Sequence, residues 1–467
     1  MKVLFSIILS SIIFVLALPC VKIYQLKNYN VKHFFESMFE IKCSFFGKNK
    51  LVFTKRVTRF LVLFFVIEFF VWLFLLSHIN FWWLLVLDFC VNILLLPLII
   101  AFLHYVLLPV ERLIQRIYIF LAKKKLAKFK GIKIAIAGSY GKTSTKNILV
   151  KLLSSRYNVV SSPKSYNTPM GVVKTILKEM KSDTEIVIFE MGARNRGDIK
   201  FLCDIVKPDI GILTAVGEQH IETFKSLENV LSTKFELCES LINKICFFDC
   251  TNENTKKLYE RASCKKKALE EKMIKKLKLS CKGSSFEFDC CNENIKVLTG
   301  LLGWHMIKNI SLASMVALYL GVMKKDITLA IKQLRPVRHR LEVMGDKNLI
   351  ILDDSYNSNY EGFREALNVL SRFDGEKIIV TPGLVELGEK QYEFNFKLGK
   401  EIANVCDKAI IMNQTNKKAL KNGILSVKND FPIYFSANRE EQKNKLKEIL
   451  SGKSVVLFEN DLPDDYA

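Results

Sequence analysis

Ile132-Lys133-Ile134-Ala135-Ile136-Ala137-Gly138-Ser139-Tyr140-Gly141-Lys142-Thr143-Ser144-Thr145 is the stretch on which the fold turns. Its first six residues are an apolar, β-branched run, which reads as a buried strand. The turn Gly138-Ser139-Tyr140-Gly141, then Lys142 and the hydroxyl side chains Thr143, Ser144 and Thr145 follow, and then the helical pattern Lys146-Asn147-Ile148-Leu149-Val150. Strand, glycine turn and helix start are what phosphate binding needs. Gly138 and Gly141 let backbone N–H groups turn towards an anion, the helix N-terminus adds a positive dipole, and Lys142 adds a full charge. Ser139 and Ser144 belong to the same cradle, and the Thr143 hydroxyl is the expected Mg²⁺ ligand. The spacing is GxxGKT, with Ile136 where a longer P-loop carries its first glycine. The strand before it and the helix after it carry the reading.

Working outward, the next features are Ser165-Tyr166-Asn167-Thr168-Pro169-Met170-Gly171 and the strand Glu185 to Phe189, which ends in Glu190-Met191-Gly192-Ala193. A carboxylate at the C-terminal end of a buried strand beside a phosphate loop is placed to hold Mg²⁺. Asp209 to Thr214 is a further strand, with His220 just beyond it. Alternating strands and helices predict an α/β domain with a mainly parallel sheet. Residues 336 to 467 alternate again, with candidate strands at Leu349–Leu352, Lys377–Thr381, Ala409–Met412 and Ser454–Phe458, and read as a second, Rossmann-like domain. The Lys/Glu-rich stretch from Thr255 to Lys282 reads as a solvated helix.

Towards the N-terminus the composition changes. Of the 467 residues half are hydrophobic, and mean hydropathy is +0.17, high for a soluble protein. A quarter are charged, too many for spans alone, and the apolar excess lies before about residue 110. This excludes a disordered chain, a small disulfide scaffold and a purely soluble enzyme. Val3–Val21, Phe60–Leu76 and Phe81 to about Leu103 are each long enough to cross ~30 Å of hydrocarbon. Cleavage of the first as a signal peptide is the competing reading. Trp72, Trp82 and Trp83 flank the turn between the second and third, where rings favour the interface. Lysines and arginines crowd the loop after the first span and the stretch after the third, but are absent from that turn. The positive-inside rule therefore predicts a multi-pass cell-membrane protein with everything after about residue 110 in the cytoplasm. Glu68 and Asp88 lie within spans and read as either a proton path or neutral packing groups. Glu111 to Lys130 reads as a basic amphipathic helix on the anionic inner leaflet, making membrane lipids an expected partner. The net charge of +22 brings no zinc finger or RNP motif with it, so nucleic acid is not expected. The 12 Cys show no metal-ligand spacing and read as reduced thiols.

The stretch from Gly138 to about Gly399 resembles the Mur ligases, most closely the branch that adds D-alanyl-D-alanine to a UDP-muramoyl-tripeptide. The resemblance rests on Gly138 to Thr145, Glu190 to Ala193, His220 followed by Ser232-Thr233-Lys234-Phe235-Glu236, and Gly303-Trp304-His305-Met306-Ile307-Lys308-Asn309. It continues through His339-Arg340-Leu341-Glu342, Asp353-Asp354-Ser355-Tyr356-Asn357-Ser358-Asn359 and Glu386-Leu387-Gly388. It implies a P-loop central domain, a Rossmann-like C-terminal domain and ATP-driven amide-bond formation through an acyl phosphate. Lys142 would hold the β/γ-phosphates, Thr143 and Glu190 one Mg²⁺, and His220 and Lys234 a second. Lys234 would be a carbamylated lysine, because an ammonium repels a cation that prefers oxygen ligands. Asn309 would contact adenine, Arg340 the phosphates and Asp354 the ribose. Asn167 and Thr168 would face the acceptor, with loop capping the alternative for Asn167. His305 reads as structural.

Three departures stand out. Membrane spans occupy the place of a UDP-binding N-terminal domain, so the acceptor is expected to be lipid-linked or held at the leaflet. Tyr360 stands where the family has proline, and Asn395 where this branch commonly has histidine. The amine donor, an amino acid or dipeptide, is therefore left open. The resulting division is a transmembrane region 1–110, a basic juxtamembrane helix 111–130, an ATP-binding central domain 131–335 and a C-terminal domain 336–467. A poly-γ-glutamate synthase-like ligase and a non-catalytic ATP-binding scaffold are the alternative readings.

Overall fold

The computed structural model describes residues 2–27, 29–39, 51–78, 82–163, 165–218, 221–346, 348–356, 358–412 and 414–460. Two compact units result, one built by residues up to Tyr118 and a second from Ile119 onward.

The first unit is helical: α1 (Lys2–Leu26), α2 (Val31–Phe39), α3 (Lys55–His78) and most of α4 (Trp82–Ala127). Three of these helices contain stretches long and apolar enough to cross a membrane, at Lys2–Leu26, Lys55–His78 and Leu85–Ala127. Many side chains on them face outward, among them Phe70, Phe74, Leu94 and Phe102, as expected of helices solvated by lipid. Phe34, Phe60, Phe64 and Leu103 pack inward. Trp72 is fully buried among these side chains, while Trp83 is exposed. Glu68 is buried, and Asp88 accepts a hydrogen bond from Asn92 at 3.4 Å. Arg59 grips Glu111 through two bonds of 2.8 Å.

The second unit starts with the last turns of α4. Ala122 and Leu126 are buried in its core, and Lys125 donates to the carbonyls of Leu177 and Met180. Six parallel strands then form a sheet in the order β2 (Val159–Ser161), β3 (Ile186–Glu190), β1 (Ile132–Ala137), β4 (Ile210–Leu213), β5 (Ile245–Asp249), β6 (Lys265–Leu269). Alternation supplies both faces. Ile134 and Ile136 join one core with the helices α5 (Lys142–Leu153) and Trp304–Tyr319, while Ala135 and Ala137 join another with Leu202, Val206 and Leu237. Because both faces are covered, the inner strands β3, β1, β4 and β5 are nearly all apolar. An antiparallel meander, β7 (Ile274–Ser280), β8 (Gly283–Cys290) and β9 (Glu293–Thr299), follows.

The expected helix across 255–282 is therefore corrected. The α-helix there is Glu253–Arg261, a single 3₁₀ turn covers Glu271–Met273, and β6 and β7 occupy most of the remainder. Both lie at sheet edges, where lysines can point to solvent without disturbing the pairing.

A second six-stranded sheet runs β10 (Glu342–Gly345), β11 (Leu349–Asp354), β15 (Ser454–Glu459), β12 (Glu376–Thr381), β13 (Lys408–Met412), β14 (Ile433–Ser436). All its pairs are parallel except β10 with β11. The four strands read from the sequence here are present; β10 and β14, four residues each, are additions.

Candidate active site

The glycine turn lies at the C-terminal end of β1, where ligands gather in parallel α/β sheets. Gly138 has φ 145° and Gly141 φ 78°, both strained for any residue with a Cβ. An added Cβ at Gly138 would meet Thr214 Oγ1 at 2.0 Å, and one at Gly141 would meet Asn309 Oδ1 at 2.6 Å. The loop is tied down from below: Ser139 and Tyr140 donate their N–H groups to Ala215, and the Ser139 hydroxyl donates to Gly217. Lys142 folds back across it, its Nζ donating to the carbonyls of Gly138 and Ser139 at 2.8 Å each. Burial pushes that ammonium down to about 8, and the Arg340 charge pushes the same way against Glu190. Arg340 thus acts on the loop from the C-terminal domain.

Glu190, at the end of β3, is buried and saturated. Thr143 donates to its Oε2 at 2.9 Å, Lys146 reaches the same oxygen at 3.3 Å, and Asn167 donates to Oε1 at 3.1 Å. Lys146 also donates to Ser162 at 2.9 Å. A helix-borne hydroxyl facing a strand-end carboxylate is an oxygen set suited to Mg²⁺, and the cradle that a Cβ would fill is suited to phosphate. Thr168 caps the short helix Pro169–Lys174, accepting from Gly171, so capping falls to it and Asn167 is left to hold Glu190. Ser144 lines a cleft of about 230 Å³ with Asn147, Leu301, Met306, Arg335 and Val337. Asn309 accepts from Thr145 at 3.2 Å and braces the loop at Gly141.

Lys234 lies on the helix Leu227–Glu239 and is only 3% exposed. Burial pushes its ammonium down to about 7, helped by the nearby charge of Lys142, and among the described residues no carboxylate pairs with it. Its Nζ faces the Phe224 ring at 5.7 Å. A poorly charged, unpaired amine fits the chemistry by which CO₂ converts lysine to an anionic carbamate. His220, its expected partner, lies outside the described residues. Among the described residues no group of three His, Cys, Asp or Glu side chains could hold a metal. Asp354 accepts from the Leu341 N–H at 3.1 Å, and burial raises its carboxyl to about 6 despite Arg340.

Several contributors escaped sequence reasoning. Lys146 sits one helical turn after Lys142, a spacing that could have announced it. Tyr356 carries the Arg340 guanidinium 4.5 Å over its ring and donates to Ser165 at 2.9 Å. Lys390 pairs with Glu218 at 2.8 Å. Nothing local marks these last residues, because each partner is distant in sequence. The two departures are structurally mild. Tyr360 is the first residue of its helix, where proline is equally at home, and Asn395 is buried and bonded to Leu384 and Gln391 backbone.

The Mur ligase middle domain matches residues 136–317, and the Mur ligase glutamate ligase domain matches residues 339–458. This chain belongs to the Mur ligase family. Among relatives of this Mur ligase is the UDP-N-acetylmuramoyl-tripeptide–D-alanyl-D-alanine ligase of Buchnera aphidicola subsp. Acyrthosiphon pisum, 30% identical over 58% of this chain and 62% of its own. The Bacillus subtilis enzyme of the same name is 26% identical over 61% of this chain and 63% of its own. The chain thus spans about three fifths of the length of these curated relatives. Among solved structures, MurF from Thermotoga maritima in complex with ADP matches with TM-score 0.67 and 28% identity, over 74% of this chain and 80% of that one. MurF from Acinetobacter baumannii shares the fold, with TM-score 0.68 at 22% identity over 74% and 77%.

Proposed function

We propose that this chain is an ATP-dependent carbon–nitrogen ligase, forming ADP and phosphate, that joins an amino acid or dipeptide to a cell-envelope, peptidoglycan-type precursor at the cytoplasmic face of the membrane. The observation that carries the reading is the convergence of Lys142, the Thr143–Glu190 pair and the Arg340 charge on one glycine turn. Phosphoryl transfer asks a protein mainly for positioning and charge neutralisation, and these residues supply both. The acceptor carboxylate attacks the γ-phosphorus of ATP and ADP leaves. The amine then attacks the acyl carbon, phosphate departs and the amine loses a proton.

Two Mg²⁺ ions would neutralise phosphate charge when bound. Thr143 and Glu190 suit the first, and His220 with carbamylated Lys234 the second. Lys142 and Arg340 would neutralise the transferring phosphoryl group, Gly138, Ser139, Gly141 and Ser144 cradle the phosphates, and Asn309 and Asp354 hold adenine and ribose. Asn167 and Thr168 would face the acceptor.

Three apolar helices support membrane attachment, and the basic stretch Arg112–Lys130 supports a cytoplasmic ligase region beside anionic lipid. With those helices ahead of the ligase region, a lipid-linked acceptor is the reading we favour over a soluble UDP-linked one. The test is to deplete the protein and identify accumulating envelope precursors by mass spectrometry. The accumulated acid and its expected amine are then supplied to the full-length protein in nanodiscs with Mg²⁺-ATP. ADP release that requires both is expected; ATP binding without ADP release on any precursor would leave a tethered nucleotide-binding scaffold.

A further inference from the structure

Strands β11 and β15 run parallel with Asp354 opposite Glu459, so these terminal residues lie side by side at the C-terminal edge of the sheet. Glu459 is fully buried. Ser358 donates its hydroxyl to Oε1, while Oε2, sealed from solvent, has no hydrogen-bond partner among the described residues. Asp354 and Ser358 are the groups whose charge and dipole act on Glu459, and neither is a cation. Asp354 is better served, receiving the Leu341 N–H and facing the Arg340 cation, against the weaker opposing charge of Asp353. His339 is occupied with Asp353 at 2.7 Å.

An ionised carboxylate with an unmatched oxygen in the interior costs several kcal/mol, and adjacent buried carboxylates do not both ionise. A proton on Glu459 removes both penalties, because it turns the unmatched oxygen into a donor aimed at the neighbouring acid. Arg340 and the Leu341 N–H favour the charged form of Asp354, so the proton resides on Glu459, whose burial raises it well above the ordinary carboxylate range.

We propose that Glu459 is a positioning residue held as a neutral acid, donating its proton to Asp354 and fixing that carboxylate for the ribose hydroxyls of ATP, a role that rests on the ligase reading above. As pH rises the pair gives up this proton. Two like charges then repel, Asp354 is displaced and nucleotide affinity falls.

The test uses the full-length protein in nanodiscs. Infrared difference spectra between wild type and Glu459→Gln, without nucleotide, should show a protonated-carboxyl band that the variant lacks. Mg²⁺-ATP titrations between about pH 6 and pH 9 give the second reading. Glu459→Ala should weaken binding about tenfold. Glu459→Gln, which keeps a donor in place, should recover most of that loss and make the alkaline fall shallower, leaving only the part that loss of the Lys142 charge contributes. A band unchanged in Glu459→Gln overturns the proposal, as does a glutamine variant as weak as the alanine one or with the wild-type pH profile. Should Glu459→Ala fail to fold, the near-isosteric glutamine variant still decides through the band and the profile. A wild type that keeps the band but binds no ATP overturns the ligase reading, and the ribose role with it, while leaving the proton assigned.

Discussion

Lys234 combines deep burial with the lack, among the described residues, of a carboxylate in ion-pair contact, Asp198 and Glu236 acting only through their charges; this is costly unless the amine is neutral or modified. Lys234→Ala should therefore abolish turnover while Mg²⁺-ATP still binds, and added bicarbonate should not restore activity. Full activity of the variant, measured as ADP release, would sink the carbamate. His305 gives a prediction about stability. Burial, aided by Lys308 and Arg340, pushes its imidazole down to about 3, and its Nδ1 is sealed from water without a partner among the described residues. The unfolded chain takes up that proton near pH ~6.5, so stability is lost as pH falls from there towards 3. On the order of 1–2 kcal/mol should be gone by about pH 5. His305→Gln should flatten this part of a melting-temperature profile against pH. At this scale the sequence was readable where chemistry is local. Lys142, Thr143 and Glu190 follow from a turn and a strand end, whereas Lys390 and Glu459 depend on partners that only the tertiary fold brings near.

The elements that complete the site are strand ends and the loops after them. Tyr356, beyond β11, holds Arg340 by its ring and Ser165 by its hydroxyl, joining the C-terminal domain to the loop that carries Asn167. Tyr356→Phe keeps the stacking and should lower turnover by no more than about fivefold, since an exposed hydrogen bond is worth ~1 kcal/mol. Tyr356→Leu loses both contacts and should raise the KM for ATP about tenfold. Steady-state kinetics distinguish the two; equal losses would remove the ring from the account. Lys390→Ala should cost under ~1 kcal/mol, because its pair with Glu218 is partly solvated. Strong apolar runs announced the central strands of both sheets. The four-residue strands β10 and β14 and the lysine-rich β6 and β7 were illegible, because pairing rather than periodicity defines them.

For the whole molecule, the boundary between units falls inside α4, later than the end of the apolar sequence suggests. A protein beginning at Arg112 retains Ala122 and Leu126 in the central core and should fold and bind ATP. One beginning at Gly131 exposes the surface they cover and should lose roughly 2–5 kcal/mol. Thermal melts and ATP titrations of both check this, and equal stability would show that the helix end is dispensable.

The margins of the sheets would have a consequence on a bilayer, if the three apolar helices hold the chain there. Confinement to two dimensions would raise encounters between copies, and an open strand border invites neighbours to zip together. Here β2 is only three residues long, β6 opens with Lys265-Lys266-Lys267, and β7 bears Lys275, Lys276 and Lys278. Part of the chain's large positive charge thus doubles as a palisade, keeping crowded neighbours from stitching into one another.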